Sequence, residues 1–187
     1  MLIVDLGCAW LKFPATLKNP DAKNEDVIGV DVCRYNNDVV ASALSTPFKN
    51  GIADLVVCRQ FIEHVCPEGL VREAWRILKP DGEILIETPN CLYIFKILRA
   101  LRNMEANPYP EHIQVFSAAE LRNLLGRNGF KQVRISYYNI DVSNSNVVLK
   151  WVKKAVAYVI DKLFPMFDRD IRVIATKDST VKFAEYC

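Results

Sequence analysis

The stretch Ala53–Asn90, ADLVVCRQFIEHVCPEGLVREAWRILKPDGEILIETPN, constrains the fold more than any other part of the chain. Asp54 opens a short apolar run, Leu55-Val-Val-Cys58, of the length and β-branched content of a buried strand. Leu70, Val71, Ala74, Trp75 and Leu78 then recur at helical spacing, which lays one helix face on a sheet. Lys79-Pro-Asp-Gly82 turns the chain, and Glu83–Glu87 is a second apolar strand running out into Thr88-Pro-Asn90. Strand, helix and strand with turns at the joints make one parallel βαβ unit, whose crossover is expected to be right-handed.

Other strands are read at Leu2–Asp5, Val27–Asp31, Asp38–Ser42 (a weak one), Phe130–Tyr138 and Ile171–Thr176. Helices are expected over Leu92–Arg102 and from Ser117, where Ser117-Ala-Ala-Glu120 has capping-box spacing, to a stop at Gly126 and Gly129. A longer helix is expected over Val147–Phe164 from its single apolar stripe, whereas Pro14 and Pro20 break the segment Trp10–Asp26 into short pieces. Strands alternating with helices imply an α/β fold with a doubly wound, mostly parallel sheet and helices on both faces. The 187 residues suffice for a single domain, 1–187, with a helical insert over 139–170 and a loose tail over 178–187.

A net charge of +2 gives no overall pull towards nucleic acid or anionic membrane. No apolar run is long enough to span a bilayer, and the N-terminus lacks the charged and cleavage regions of a secretion signal. The six cysteines form no CxxC pair and no Cys/His ligand spacing, so reduced thiols in a cytoplasmic protein are expected and no metal site.

Ligands of open α/β sheets bind beyond the carboxyl ends of the strands. The ends here are Asp5-Leu-Gly7-Cys-Ala9, Asp31, Ser42-Ala43 and Cys58-Arg-Gln60. Gly7 lets backbone approach a ligand, and Asp31 can accept bonds from the two hydroxyls of a ribose. Ser42 and Ala43 can meet an adenine edge, and the Cys58 carbonyl can hold a cationic amine. A dinucleotide would need G-x-G-x-x-G, but the run is Gly7-Cys-Ala-Trp-Leu-Lys12, which argues against a nicotinamide-dependent reductase.

The motifs Val4-Asp-Leu-Gly-Cys8, Ile28-Gly-Val-Asp31, Thr46-Pro-Phe48, Ala53-Asp-Leu-Val-Val57, Glu63-His64, Arg76-Ile-Leu-Lys-Pro-Asp-Gly82, Thr88-Pro-Asn90 and His112-Ile-Gln-Val-Phe-Ser117 stand in one order. In that order the chain resembles a short class I S-adenosyl-L-methionine (SAM)-dependent methyltransferase, over Leu2–Tyr138. The resemblance implies a Rossmann-like seven-stranded sheet whose last strand is antiparallel, SAM as cofactor and S-adenosylhomocysteine as product. It implies that Asp5, Gly7 and Cys8 line the methionine end and that Asp31 holds the ribose. By the same resemblance Ser42 and Ala43 flank the adenine, and Arg59 and Gln60 border the transferred methyl. The sequence departs from the pattern at Ala9, where a glycine is usual, and at Ser42, where an acid is usual.

His64, Tyr109 and His112 are the candidate catalytic residues, with Arg59 also on the substrate side. Each histidine has a plainer reading, His64 as a helix-start residue bonding backbone and His112 as a loop-fixing residue. Methyl transfer from a sulfonium needs no base when the nucleophile is already neutral or anionic, because proximity and alignment supply the rate. Cys8, Cys33, Cys58 and Cys91 all fall near strand ends, where small apolar filler is the simple reading and soft-metal chemistry the sharp one. Lys96, Arg99 and Arg102 read first as a solvated helix face and second as a contact for an anionic or lipid-linked substrate. The acceptor is expected to be an O, N or C nucleophile of a small molecule or of a sugar or lipid intermediate, with no nucleic acid partner. Peripheral membrane contact and a homodimer stay open. The rival function is a catalytically degenerate methyltransferase-like scaffold.

Overall fold

The computed structural model describes residues 1–9, 26–34, 37–102, 104, 111–138 and 164–181. Its elements are β1 (Leu2–Leu6), β2 (Asp26–Asp31), β3 (Val39–Val40), β4 (Ala53–Arg59), α1 (Pro67–Ile77), β5 (Leu78–Pro89), α2 (Ile94–Leu101), α3 (Ala118–Arg127), β6 (Phe130–Tyr138) and β7 (Asp170–Lys177). They form one seven-stranded sheet in the order β3-β2-β1-β4-β5-β7-β6. The first five strands are mutually parallel, and β7 runs antiparallel to both β5 and β6. This is the expected Rossmann-like sheet, and β4–α1–β5 is the parallel unit read from Ala53–Asn90.

Period-two alternation sends successive strand residues to opposite faces. Val4, Leu6, Val56, Ile84, Ile86, Val173 and Ala175 form one core with Leu70, Val71, Ala74 and Ile77 of α1 and Leu121, Leu124 and Leu125 of α3. Ile3, Leu55, Val57 and Leu85 form a second buried cluster on the other side. Among the described residues, α1 and α3 cover the first face. Residues 10–25, Tyr109 and residues 147–163 of the expected late helix lie outside the described set.

Local chemistry explains the element boundaries. Ser117 Oγ accepts the Glu120 N–H while Glu120 Oε2 accepts the Ser117 N–H, so α3 opens on the expected capping box. The helix runs through Gly126 to Arg127, and the left-handed turn falls at Gly129 (φ +74°) alone. Strand β3 is shorter than expected because Asp38 bonds backwards: its Oδ2 accepts the Gly29 N–H at 2.8 Å. Ser42 is drawn into a turn, accepting the Ser45 N–H on its carbonyl and the Leu44 N–H on its hydroxyl. Helix α2 starts at Ile94 instead of Leu92, since Asn90 Oδ1 takes the Leu92 N–H into an Asx turn.

Strand β5 begins earlier than expected. Leu78 already pairs with Ala53, then Lys79–Gly82 bulges out before Glu83 pairs with Leu55. Lys79 Nζ reaches Asp54 Oδ1 at 2.8 Å, and Asp54 Oδ2 accepts the Leu2 N–H at 2.7 Å. Those bonds and the Lys79 charge hold the Asp54 carboxyl below its usual range. A Cβ at Gly82 would stand 3.0 Å from both Leu78 Cδ2 and the Lys79 carbonyl oxygen, which explains the glycine in the Lys-Pro-Asp-Gly turn.

Candidate active site

The carboxyl ends of β1, β2 and β4 lie side by side because the strands are adjacent and parallel. Asp31 closes β2 and is buried. Its Oδ2 accepts the Ala9 N–H at 3.1 Å and its Oδ1 the Cys33 N–H at 3.0 Å. Each oxygen retains a second lone pair, so the carboxylate can still accept a vicinal diol. Gly7 follows β1 at φ +72°, and a Cβ there would lie 2.3 Å from Phe61 Cγ. The sheet therefore leaves room at Gly7 for an aromatic wall, and Phe61 supplies it.

Asp5, nearly inaccessible on β1, faces Arg59 across to β4, with Asp5 Oδ2 3.5 Å from the guanidinium. Gln60 adopts φ +49°, donates its N–H to the Glu87 carbonyl and its side-chain amide to Asp170 Oδ1 at 3.2 Å. That turn swings the chain off the sheet and into the 3₁₀ turn Ile62–His64.

The turn presents Glu63 and His64. Glu63 is 1% exposed; its Oε2 accepts the Thr88 hydroxyl at 2.9 Å, and its Oε1 is buried without a hydrogen-bond partner. The Glu63 carbonyl accepts the N–H groups of Ile113 and Gln114, which fixes the following loop against the turn. His112 thereby meets His64, with ring centroids 4.8 Å apart and planes at 84°. His64 Nδ1 lies 3.0 Å from the Glu111 carbonyl oxygen, an acceptor only, so Nδ1 carries the proton and Nε2 the lone pair. Ligand-type atoms of Glu63, His64 and His112 all lie within 4.8 Å of one another. Burial pushes the Glu63 carboxyl up, and burial together with the neighbouring His64 pushes the His112 imidazole down.

The expected residues divide into groups. Asp5, Gly7, Asp31, Arg59 and Gln60 gather at the strand ends, with Glu63, His64 and His112 at the turn above β4. Cys8 and Cys58 are buried; Ala43 is buried in the α1-side core; Ser42 is exposed with its hydroxyl already in a turn. Tyr109 lies outside the described residues. No cysteine joins the Glu63, His64 and His112 group among the described residues. Lys96 departs from the expected solvated stripe, for its Nζ is buried without a hydrogen-bond partner, and burial lowers its pKa.

Three contributors were not singled out from the sequence. Phe61 carries no local signal that its ring would pack over Gly7. The fully buried Asn90 donates to the Met166 and Asp168 carbonyls at 2.8 Å each and ties the end of β5 to the loop before β7. Thr88 orients Glu63. The last two sit in the quoted Thr88-Pro-Asn90 motif, which marked the place without revealing their partners.

The donor set suits a nucleoside carrying an amino-acid tail. Asp31 offers acceptors to a vicinal diol, and the buried Asp5 places negative charge on the neighbouring strand. The profile of a family described as "Methyltransferase domain" matches residues 2–135. A Mycolicibacterium smegmatis protein described as a probable S-adenosylmethionine-dependent methyltransferase is 35% identical over 86 residues, 46% of this chain and 31% of its own. The chain thus spans about a third of that relative's length in the matched region. A SAM-dependent methyltransferase from Archaeoglobus fulgidus superposes with TM-score 0.63 at 22% identity, covering 94% of this chain and 86% of that one. The phosphoethanolamine N-methyltransferase 2 of Haemonchus contortus, bound to SAM, gives 0.57 at 14% identity, covering 96% and 49%. The profile match spans most of the chain, the sheet order is the one its motifs imply, and the chain belongs to the methyltransferase-domain family, within the class I SAM-dependent methyltransferases.

Proposed function

We propose that the chain transfers a methyl group from SAM to an O, N or C nucleophile of a small molecule or of a sugar or lipid intermediate. Bound SAM would supply an electrophilic methyl on a sulfonium. Asp31 would hold the ribose hydroxyls while keeping the Ala9 and Cys33 N–H groups. Gly7 and Asp5 would face the methionine end, and Ser42 and Ala43 the adenine. The Cys58 carbonyl, Arg59 and Gln60 would border the sulfonium. The single observation that carries this reading is the buried Asp31 at the end of β2, beside the glycine turn of β1.

The acceptor would enter beside Glu63, His64 and His112, which would assist its deprotonation; Tyr109 remains a further candidate. A cytoplasmic location is supported by five free cysteines among the described residues. No helix among the described residues is long and apolar enough to cross a membrane. The scaffold reading keeps one specific support: Ala9 adds a methyl where a glycine is usual, at φ +44°.

The test is isothermal titration with SAM, S-adenosylhomocysteine and NADH. Micromolar binding of the first two and none of the third is expected, with at least a tenfold loss in Asp31→Asn. Asn keeps one acceptor for the two N–H groups that Asp31 holds, so the loop is disturbed less than in Asp31→Ala. No binding of either ligand by the wild type would leave the scaffold reading.

A further inference from the structure

We propose that Glu63, His64 and His112 form a binding site for one divalent first-row transition ion, zinc being the type case, which takes an acceptor hydroxyl as a further ligand. The inference rests on the reading that this cluster faces the methyl acceptor. It adds how the acceptor's proton is lost.

The observations are geometric. Two imidazoles and one carboxylate bring ligand-type atoms within 4.8 Å of one another. Metal–ligand bonds of about 2.1 Å in a tetrahedral site put ligand atoms about 3.4 Å apart, so up to about 1.4 Å of closure is needed. His64 keeps the ring position that its bond to the Glu111 carbonyl sets, so side-chain rotation of His112 would supply the closure. Two histidines and a carboxylate match a recurring donor set for zinc and for other first-row ions that keep open positions.

The supporting bonds are those a metal site uses. His64 is fixed with Nδ1 donating to the Glu111 carbonyl, which leaves Nε2 as the lone-pair nitrogen. Glu63 is oriented by the Thr88 hydroxyl on Oε2, while Oε1 is buried with no hydrogen-bond partner. A buried carboxylate oxygen left unmatched costs stability, and an ion in the cluster would satisfy it. The main chain pre-positions the third ligand, because Ile113 and Gln114 donate to the carbonyl of Glu63 itself at 3.0 and 3.3 Å. His112 is thus tethered to the other two ligands across 48 residues of sequence. That separation hid the site from a search for ligand spacing.

Three protein ligands leave at least one position open. A hydroxyl bound there would lose its proton to solvent more readily, as metal-bound water does. Its oxygen would then form the O–CH₃ bond as the C–S bond breaks, the electron pair staying on sulfur. The products are the methyl ether, S-adenosylhomocysteine and one released proton. The acceptor class is therefore narrowed to hydroxyl compounds.

The experiment titrates the full chain, freed of ions with EDTA, with Co²⁺ followed by visible absorption and then displaced by Zn²⁺. One equivalent is expected, with a d–d spectrum free of thiolate charge transfer. His112→Ala and His64→Ala should each weaken binding at least tenfold, with unfolding midpoints confirming the fold. Cys33→Ser/Cys66→Ser, which removes the two exposed thiols, should bind as the wild type does. Absence of a saturable equivalent in the wild type, or affinity unchanged by His112→Ala, would overturn the proposal. A wild type that binds S-adenosylhomocysteine but no ion sinks the metal site and leaves the methyltransferase reading. A wild type that binds the ion but no S-adenosylhomocysteine does the reverse.

Discussion

Ala9 shows how a departure legible in the sequence acquires a physical size only from backbone geometry. In the sequence it is only an alanine where the family pattern has a glycine. The structure places Ala9 at φ +44°, with its N–H bonded to Asp31. The turn has kept the left-handed conformation that a glycine favours and has lost the residue that adopts it without strain. A non-glycine residue there costs about 1–2 kcal/mol. Glycine returns part of that through the extra freedom of the unfolded chain, about 0.5–1 kcal/mol. Ala9→Gly is therefore expected to stabilise by about 0.5–1 kcal/mol, a midpoint rise of about 1–4 °C for a chain of this size. Thermal unfolding decides it, and a lowered midpoint would mean that the Ala9 methyl makes packing contacts worth more than the strain. Asp31 was legible for a related reason, as an acid at a strand end. Its two N–H partners were not, because they come from loops whose course no local pattern specifies.

The loop after β3 carries Ser42 and Ala43, and one helix holds it. Glu73 of α1, buried, accepts the Thr46 N–H at 2.7 Å and the Thr46 hydroxyl, and takes both Arg76 Nε and a terminal nitrogen at 2.8 and 2.6 Å. Arg76 reaches on to the Phe48 carbonyl and Asn50 Oδ1. Helical periodicity revealed the apolar face of α1 and could not reveal this, since a Glu and an Arg three residues apart look like a solvated pair. Burial alone would raise the Glu73 pKa, but the bonds from Arg76 and Thr46 more than offset it and hold the carboxyl below 4.5. A depressed folded pKa means stability that is present above the unfolded value near 4.5 and lost as pH falls through the lower folded value. Glu73→Gln should cost about 2–3 kcal/mol at neutral pH, discounted because Arg76 is one-third exposed. Urea unfolding at about pH 7 and about pH 3 should show the gap between wild type and variant closing in acid. A gap that stays constant would mean that the carboxylate charge contributes nothing to holding the loop.

At the scale of the molecule, the sheet was the most legible part, because its strands are short apolar runs bounded by turn residues and their parallel order follows from the helices between them. The reversed β7 came from resemblance and not from periodicity, which is blind to strand direction. The Glu63, His64 and His112 cluster was legible only in fragments, since a contact between a turn and a distant loop leaves no spacing in the sequence. The same sheet order sets a gradient of stability. Strands β5 and β7 pair over seven register positions in the interior of the sheet, whereas β3 contributes two residues at an edge, with Val40 exposed. Local opening follows buried contact and backbone pairing, so amides of Ile84, Ile86 and Val173 should exchange slowest and those of Val39 and Val40 fastest. Asp31, proposed to hold the ribose, is paired with Val40 on that weak margin. A nucleoside ligand held by Asp31 binds only the closed form, and by mass action it slows opening of the segment it closes. Saturation with S-adenosylhomocysteine should therefore raise protection more over β2 and β3 than over β5 and β7, whose exchange is expected to lie near the global limit without ligand. Protection that rose only around Glu63 and His112 would place the ligand at the mouth and remove Asp31 from its binding site.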